Sequence, residues 1–128
     1  MASDVKSLNI KRSHKSFVFY VKLREVKSLL LFIATLTHTP ELCFGNPSYK
    51  DPGKKWVENM RNSAKKLGVK IHGAYICPNE HAFYFVLEAD SLEAISDFLG
   101  PPILTHHTGC ISPVMNMEEA FGLPFMKQ

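Results

Sequence analysis

The feature that most constrains the fold is the order in which strand-like and helix-like segments follow one another. Segments typical of strands occupy residues 29–37, 69–77, 81–88 and 111–115. The first and third of these are apolar runs, and 69–77 shows the two-residue alternation of a strand. Segments with apolar residues at helical spacing separate the first strand from the second and the third from the fourth. The order strand, helix, strand, hairpin, strand, helix, strand is the split β-α-β arrangement. It predicts one antiparallel sheet in the spatial order 4-1-3-2, with both helices on one face.

Residues at the ends of the first helix support this order. Asp51 followed by Pro52 is typical of an N-cap and first helical position, and Gly68 is typical of a helix stop. The predicted buried stripe of this helix consists of Trp56, Val57, Met60, Ala64 and Leu67.

The second helix carries similar signals. Asp90 with Glu93 three residues later predicts a capping box. Its predicted buried stripe is Leu92, Ile95, Phe98 and Leu99. Gly100, Pro101 and Pro102 are expected to end the helix, and a loop over 105–110 is expected to precede the last strand. Residues 117–121 are predicted to form a short terminal helix.

The first and third strands are apolar on both faces, as the runs LLLFIATLT and HAFYFVLE show. Two helices on one side of the sheet cover only one of these faces. A monomer would therefore leave a large apolar surface exposed to water. We expect a homodimer in which two sheets pack face to face.

The segment 68–114 contains GVKIHGAY, a turn, HAFYFVLEADSLEAISDFL and a closing strand that ends in SPV. In this pattern it resembles the dimeric α/β-barrel superfamily, which includes muconolactone isomerase-like enzymes, small monooxygenases, haem-binding relatives of chlorite dismutase and small nickel-binding ferredoxin-like proteins. The resemblance implies an α+β, ferredoxin-like fold that dimerises into an α/β barrel. It carries over no catalytic residue, because this fold supports many chemistries.

Composition limits the class of protein. A chain of 128 residues with 45% hydrophobic content can build one core without disulfides. Three cysteines without a CxxC pair fit reduced thiols, so a cytoplasmic location is expected. The longest apolar run, 29–36, is too short to span a bilayer and lies too late for an ordinary signal peptide, so no membrane association is predicted.

Positive charge is concentrated at the start of the chain. Residues 1–27 hold seven Lys or Arg and two acidic residues, whereas the remainder holds eight basic and ten acidic residues. We interpret 1–27 as a basic N-terminal arm, with an extra strand or partner-packing segment at 16–23, and 28–128 as the ferredoxin-like domain. No nucleic-acid-binding motif accompanies the arm, so nucleic acid is not an expected partner.

The loops expected at one edge of the sheet are rich in histidine and cysteine. They carry His38, Glu41 and Cys43 after the first strand, Cys77, Glu80 and His81 in the hairpin, and His106, His107 and Cys110 before the last strand. Imidazole and thiolate ligands together favour zinc, nickel or copper. The predicted metal ligands are His38, His81 and one of His106 or His107, with Cys43 or Glu41 as a fourth. Cys77 and Cys110 are expected to be small core residues, and His72 to lie on a strand surface.

Two alternatives fit the same residues. The first is a metal-free isomerase or cofactor-independent monooxygenase that acts on a small molecule by proton transfer, with His38 or His81 as base and Glu41 as its partner. The second is a haem-binding or regulatory module without turnover. The absence of a Gly-rich phosphate loop, HExxH and GxSxG from the sequence disfavours nucleotide, zincin and serine-hydrolase chemistry.

Overall fold

The computed structural model describes residues 29–126 as an α+β fold built on a four-stranded antiparallel open sheet. The strands are β1 (Leu30–Thr37), β2 (Lys70–Cys77), β3 (Ala82–Ala89) and β4 (Thr108–Val114), and the helices are α1 (Lys50–Leu67), α2 (Leu92–His106) and α3 (Met117–Phe121). The order of strands and helices is the predicted one and is compatible with a ferredoxin-like fold. The predicted arm, 1–27, and its strand at 16–23 lie outside the described residues.

The sheet has the spatial order β2-β3-β1-β4, as predicted. In this order β1 is a central strand, antiparallel to both β3 and β4. Near its end, Thr37 pairs with Ala82 on one side and with Thr108 on the other. The register of β1 with both neighbouring strands determines which residues of the adjoining loops lie side by side beyond the end of β1.

The core lies between the sheet and the helices. Alternate residues of β1 and β3 face it, and α2 covers them with its fully buried apolar stripe. These buried residues are Phe32, Ala34 and Leu36 of β1, Phe83, Phe85 and Leu87 of β3, and Ile95, Phe98, Leu99 and Ile103 of α2. From α1, Trp56 packs its ring 5.8 Å from Phe85 and 5.5 Å from Phe98, measured between centroids. Each such side chain contributes about 1.5–3 kcal/mol when fully buried.

The other side of the sheet is called the open face here and carries Leu31, Ile33 and Thr35 of β1 with Tyr84, Val86 and Glu88 of β3. Ile33 is 40% exposed in a single chain, and Leu31, Tyr84 and Val86 are half-buried. The open face therefore has an apolar centre bordered by polar side chains.

Several predicted details of the helices are wrong. Helix α1 begins at Lys50 after Tyr49, so Asp51 is not its N-cap. In α2 the cap is Ser91, whose Oγ accepts a hydrogen bond from the Ala94 N–H at 3.2 Å, and not Asp90. The predicted buried stripes of the two helices also included three residues that are exposed in the structure, namely Val57, Leu67 and Leu92. Gly68 does end α1 in the left-handed conformation, with φ 70°.

The chain after Gly100 also differs from prediction. Helix α2 kinks at Gly100 and Pro101, and helical structure resumes and continues to His106. Proline lacks an N–H but is tolerated in the first turn of a helical segment, so Pro102 begins a new turn here instead of a loop. As a result β4 starts at Thr108 and not at Ile111, and His107 becomes the C-cap of α2. Within residues 29–126, no helix has the length and apolar character needed to cross a membrane.

Candidate metal centre

Three histidines form a row across one end of the sheet. Because Thr37 pairs with Ala82 and Thr108, the next position outward places His38 between His81 and His107. The His38 N–H donates to the His81 carbonyl oxygen at 3.0 Å, which extends the β1–β3 ladder by one residue. His38 follows the alternation of Leu36, so its ring lies on the helix-covered side. The histidine row, defined as His38, His81 and His107, is thus where the apolar core ends.

Hydrogen bonds connect the row from the core outward. His107 Nδ1 lies 2.7 Å from the Ile103 carbonyl oxygen, and His107 Nε2 lies 2.9 Å from His38 Nδ1. His38 Nε2 then lies 3.3 Å from His81 Nδ1. Both ring nitrogens of His38 and of His107 are therefore engaged by neighbours.

Cys43 completes a group of possible metal ligands. One ligand atom each from His38, Cys43 and His81 lies within 4.8 Å of the other two. The 3-10 turn Pro40–Leu42 returns the chain toward the row, and the Cys43 N–H donates to the Pro40 carbonyl oxygen at 3.3 Å. Cys43 Sγ accepts a hydrogen bond from the Gly45 N–H at 3.3 Å. The loop thus holds a thiol beside two imidazoles.

Aromatic packing fixes this loop on the core. The Phe44 ring lies 5.8 Å from Phe83 and 5.7 Å from His107. Gly53 of α1 is buried beneath it, and a Cβ at Gly53 would overlap the Phe44 ring. Glycine at this position therefore lets Phe44 seat against the helix and holds the neighbouring Cys43 in place.

The spacing of the two imidazoles suits a tetrahedral metal ion. With metal–nitrogen distances of about 2.0–2.1 Å, two tetrahedral ligands lie about 3.3 Å apart. His38 Nε2 and His81 Nδ1 are separated by 3.3 Å. To reach a shared ion, each lone pair must point about 35° away from the line that joins the two nitrogens, by the same tetrahedral geometry. The distance therefore fits a shared ion, while the present ring orientations are those of the hydrogen bond between these two nitrogens.

His81 has an uncommon backbone conformation. It follows the 3-10 turn Pro78–Glu80 with φ 49° and ψ 47°, in the left-handed region, and is the non-glycine residue with positive φ within 29–126. This conformation costs a non-glycine residue about 1–2 kcal/mol. It turns the chain so that the His81 ring faces His38, with 5.2 Å between ring centroids. Strain of this kind often accompanies a functional position.

The surroundings favour the neutral form of His38 and of His107. Burial lowers the pKa of His38, and the neighbouring His107, His81 and His106 lower it further. Burial also lowers the pKa of His107, which its hydrogen bond to Ile103 partly offsets. Neutral imidazole is the form that binds metal ions.

The remaining predicted ligands lie outside the group of three. Glu41 is exposed, and hydrogen bonds from its own backbone N–H and from Thr39 lower its pKa. His106 packs against Tyr49, with ring centroids 4.8 Å apart, and its Nδ1 is buried without a hydrogen-bond partner. His107 is only 8% exposed and stands behind His38.

Other residues discussed in the sequence analysis also lie outside the group of His38, Cys43 and His81. The Tyr84 hydroxyl donates to Glu80 at 3.0 Å, which raises the pKa of Tyr84. His72 lies on the surface of β2, as predicted, with Nε2 3.6 Å from the Glu88 carboxylate. Cys110 is exposed, so its prediction as a core residue is wrong.

An apolar cleft shares Phe83 with the surroundings of the histidine row. It has a volume of about 190 Å³ and is lined chiefly by Trp56, Met60, Ile76, Phe83 and Phe85. No local sequence pattern predicts this cleft, because its walls come from α1 and from edge strand β2. The roles of Phe44, Gly53 and the Ile103 carbonyl were not predicted either, since they depend on tertiary contacts.

Comparisons with known proteins found no relative: no protein-family model, curated protein sequence or solved structure matches this chain. The dimeric α/β-barrel assignment therefore stays a prediction from sequence pattern.

Proposed function

We propose that this protein binds a transition metal ion through His38, Cys43 and His81. The observation that carries the proposal is that their three ligand atoms lie within 4.8 Å of one another. Two imidazoles and a thiolate suit zinc, nickel or copper, whereas magnesium and calcium prefer oxygen ligands. Three protein ligands leave one coordination position for water or a small molecule, as in catalytic zinc sites.

The experiment is a measurement of bound metal in the purified protein and in ligand variants. His38→Ala, Cys43→Ser and His81→Asn should each lose most of the bound ion, because a site of three ligands cannot spare one. His72→Ala is the matched control, since His72 lies on the strand surface and outside the group of three. Equal metal content in all four variants would contradict the proposal. A visible absorption band typical of haem would instead support the haem-binding alternative.

We also infer a cytoplasmic homodimer with an α/β-barrel arrangement, in keeping with the sequence resemblance. Its support is the open face, where Ile33 is 40% exposed and Leu31, Tyr84 and Val86 retain partial exposure. A second copy packed on this face would remove that apolar area from water.

A metal-free proton-transfer enzyme is the second candidate function. The observation that favours it is the hydrogen-bonded row from Ile103 through His107 and His38 to His81. The apolar cleft beside Phe83 would accommodate a small apolar substrate. Cys43→Ser separates the two candidates, because the substitution removes the thiolate ligand and leaves all three imidazoles in the row. Activity on a small molecule that survives in Cys43→Ser, with no metal bound, would favour proton transfer.

A further inference from the structure

We infer that His107 is a positioning residue of the metal site and not one of its ligands, and that it commits His38 to binding metal through Nε2. This inference rests on the proposed function. It follows from the direction of the hydrogen bonds in the histidine row.

The direction of the hydrogen bonds in the histidine row is set at its buried end, where His107 contacts Ile103. A backbone carbonyl only accepts hydrogen bonds, so the 2.7 Å contact with Ile103 requires the proton of a neutral His107 to be on Nδ1. His107 Nε2 then carries a lone pair and accepts. The 2.9 Å contact therefore requires His38 to donate from Nδ1, which leaves the lone pair of His38 on Nε2.

The same bonds exclude His107 as a ligand in this arrangement. Its Nδ1 is used by Ile103, and its Nε2 is used by His38. His107 is also only 8% exposed, whereas His38 and His81 are half-buried. A metal-bound histidine commonly donates its second ring N–H to a fixed acceptor, which orients the ring and raises its basicity. His107 supplies that acceptor for His38, and Ile103 fixes His107.

The position of His107 explains why an imidazole is suited to this role. It is the C-cap of α2, and its ring turns back to the carbonyl oxygen of the residue four positions earlier. That carbonyl lies four residues before the cap, at the last turn of the helix. One side chain thus satisfies the helix end with Nδ1 and orients His38 with Nε2.

Two amide substitutions separate these two functions of His107. In His107→Gln the amide oxygen reaches about as far as Nε2 and can accept from His38. In His107→Asn the amide reaches about as far as Nδ1, so it can bond Ile103 but leaves His38 without an acceptor. We expect Zn²⁺ affinity, measured by competition with a chromophoric chelator, to fall 10–100-fold in His107→Asn. His107→Gln should stay within a few fold of the wild type.

A measurement on the metal-free protein provides an independent readout. Nitrogen-15 NMR above pH 8 should show His38 with its proton on Nδ1 in the wild type and a loss of that preference in His107→Asn. A proton on Nε2 of His38 in the wild type would overturn the inference, as would equal Zn²⁺ affinity in His107→Asn and the wild type. If the wild type binds no metal, the proposed function fails, while the NMR result still decides whether His107 sets the proton position of His38.

Discussion

The row of three histidines depends on the backbone of one residue, His81. With φ 49° it occupies a region in which a side chain costs free energy, yet this turn directs its ring toward His38. A glycine would satisfy the same backbone without strain. Histidine at this position therefore lowers stability relative to glycine, and it supplies one of the three ligands of the proposed metal site.

Substitution of His81 tests this interpretation. His81→Gly and His81→Ala both remove the imidazole, so both should lose the metal ion. They should differ in stability, because only alanine keeps a Cβ at positive φ. We expect His81→Gly to be more stable than His81→Ala by about 1 kcal/mol in urea unfolding of the metal-free protein. Equal stability would mean that the backbone at position 81 is not strained.

The stability of the metal-free protein should depend on pH through His38 and His107. Folding lowers the pKa of both, so the unfolded state binds protons first as the pH falls. The two histidines contribute fully to the free energy of unfolding when the pH is above their pKa in the unfolded chain, about 6.5. This contribution is lost as the pH falls from there toward their lower pKa values in the folded protein. The free energy of unfolding should therefore decrease between pH 7 and 5. The decrease should be smaller in His38→Gln, and identical pH profiles would contradict this account.

Among the secondary-structure elements, β4 pairs with the central strand β1 and thereby places His107 beside His38, and Gly109 allows the two strands to approach closely. Gly109 has φ 151° and pairs with Leu36, and a Cβ there would overlap the Thr35 carbonyl oxygen. Gly109→Ala should therefore separate β4 from β1 and cost about 2–3 kcal/mol in thermal or urea unfolding. Ser112→Ala, at an exposed position of the same strand, is the control and should change stability little. A fully stable Gly109→Ala protein would show that β4 can shift without cost.

The elements themselves could largely be predicted from the sequence. Apolar periodicity identified β1, β2, β3 and both long helices, and their order predicted the sheet topology. The chain from Gly100 to Cys110 could not be predicted in the same way, because Pro101 and Pro102 are compatible with either a loop or a new helical turn.

The candidate site could be predicted only in part, for a related reason. Topology indicated that the loops of His38, Cys43 and His81 share one edge of the sheet. The contacts of each side chain depend on register and packing, which no local pattern encodes. His106 is the last residue of α2, whereas His107 is its C-cap. Their roles therefore differ although they are neighbours in the sequence. Glu41 was predicted as a ligand from its position in the sequence, but its side chain lies in solvent.

At the scale of the whole molecule, the open face predicts self-association. Light scattering at micromolar concentration should give twice the chain mass of 14.5 kDa. Ile33→Glu, which places a charge at the centre of the open face, should give a monomer with unchanged circular dichroism. Leu92→Glu is the matched control, because Leu92 is a similarly exposed apolar residue on α2, away from that face. A wild-type monomer at this concentration would contradict the dimer.

The proposed function requires His38, Cys43 and His81 to bind the same metal ion. X-ray absorption at the zinc edge of the zinc-loaded protein tests it most directly, because it counts the ligands and measures their distances. We expect one sulfur at about 2.3 Å and two imidazole nitrogens at about 2.0–2.1 Å from the zinc, with the sulfur contribution lost in Cys43→Ser. A zinc environment of oxygen and nitrogen alone in the wild type would contradict it.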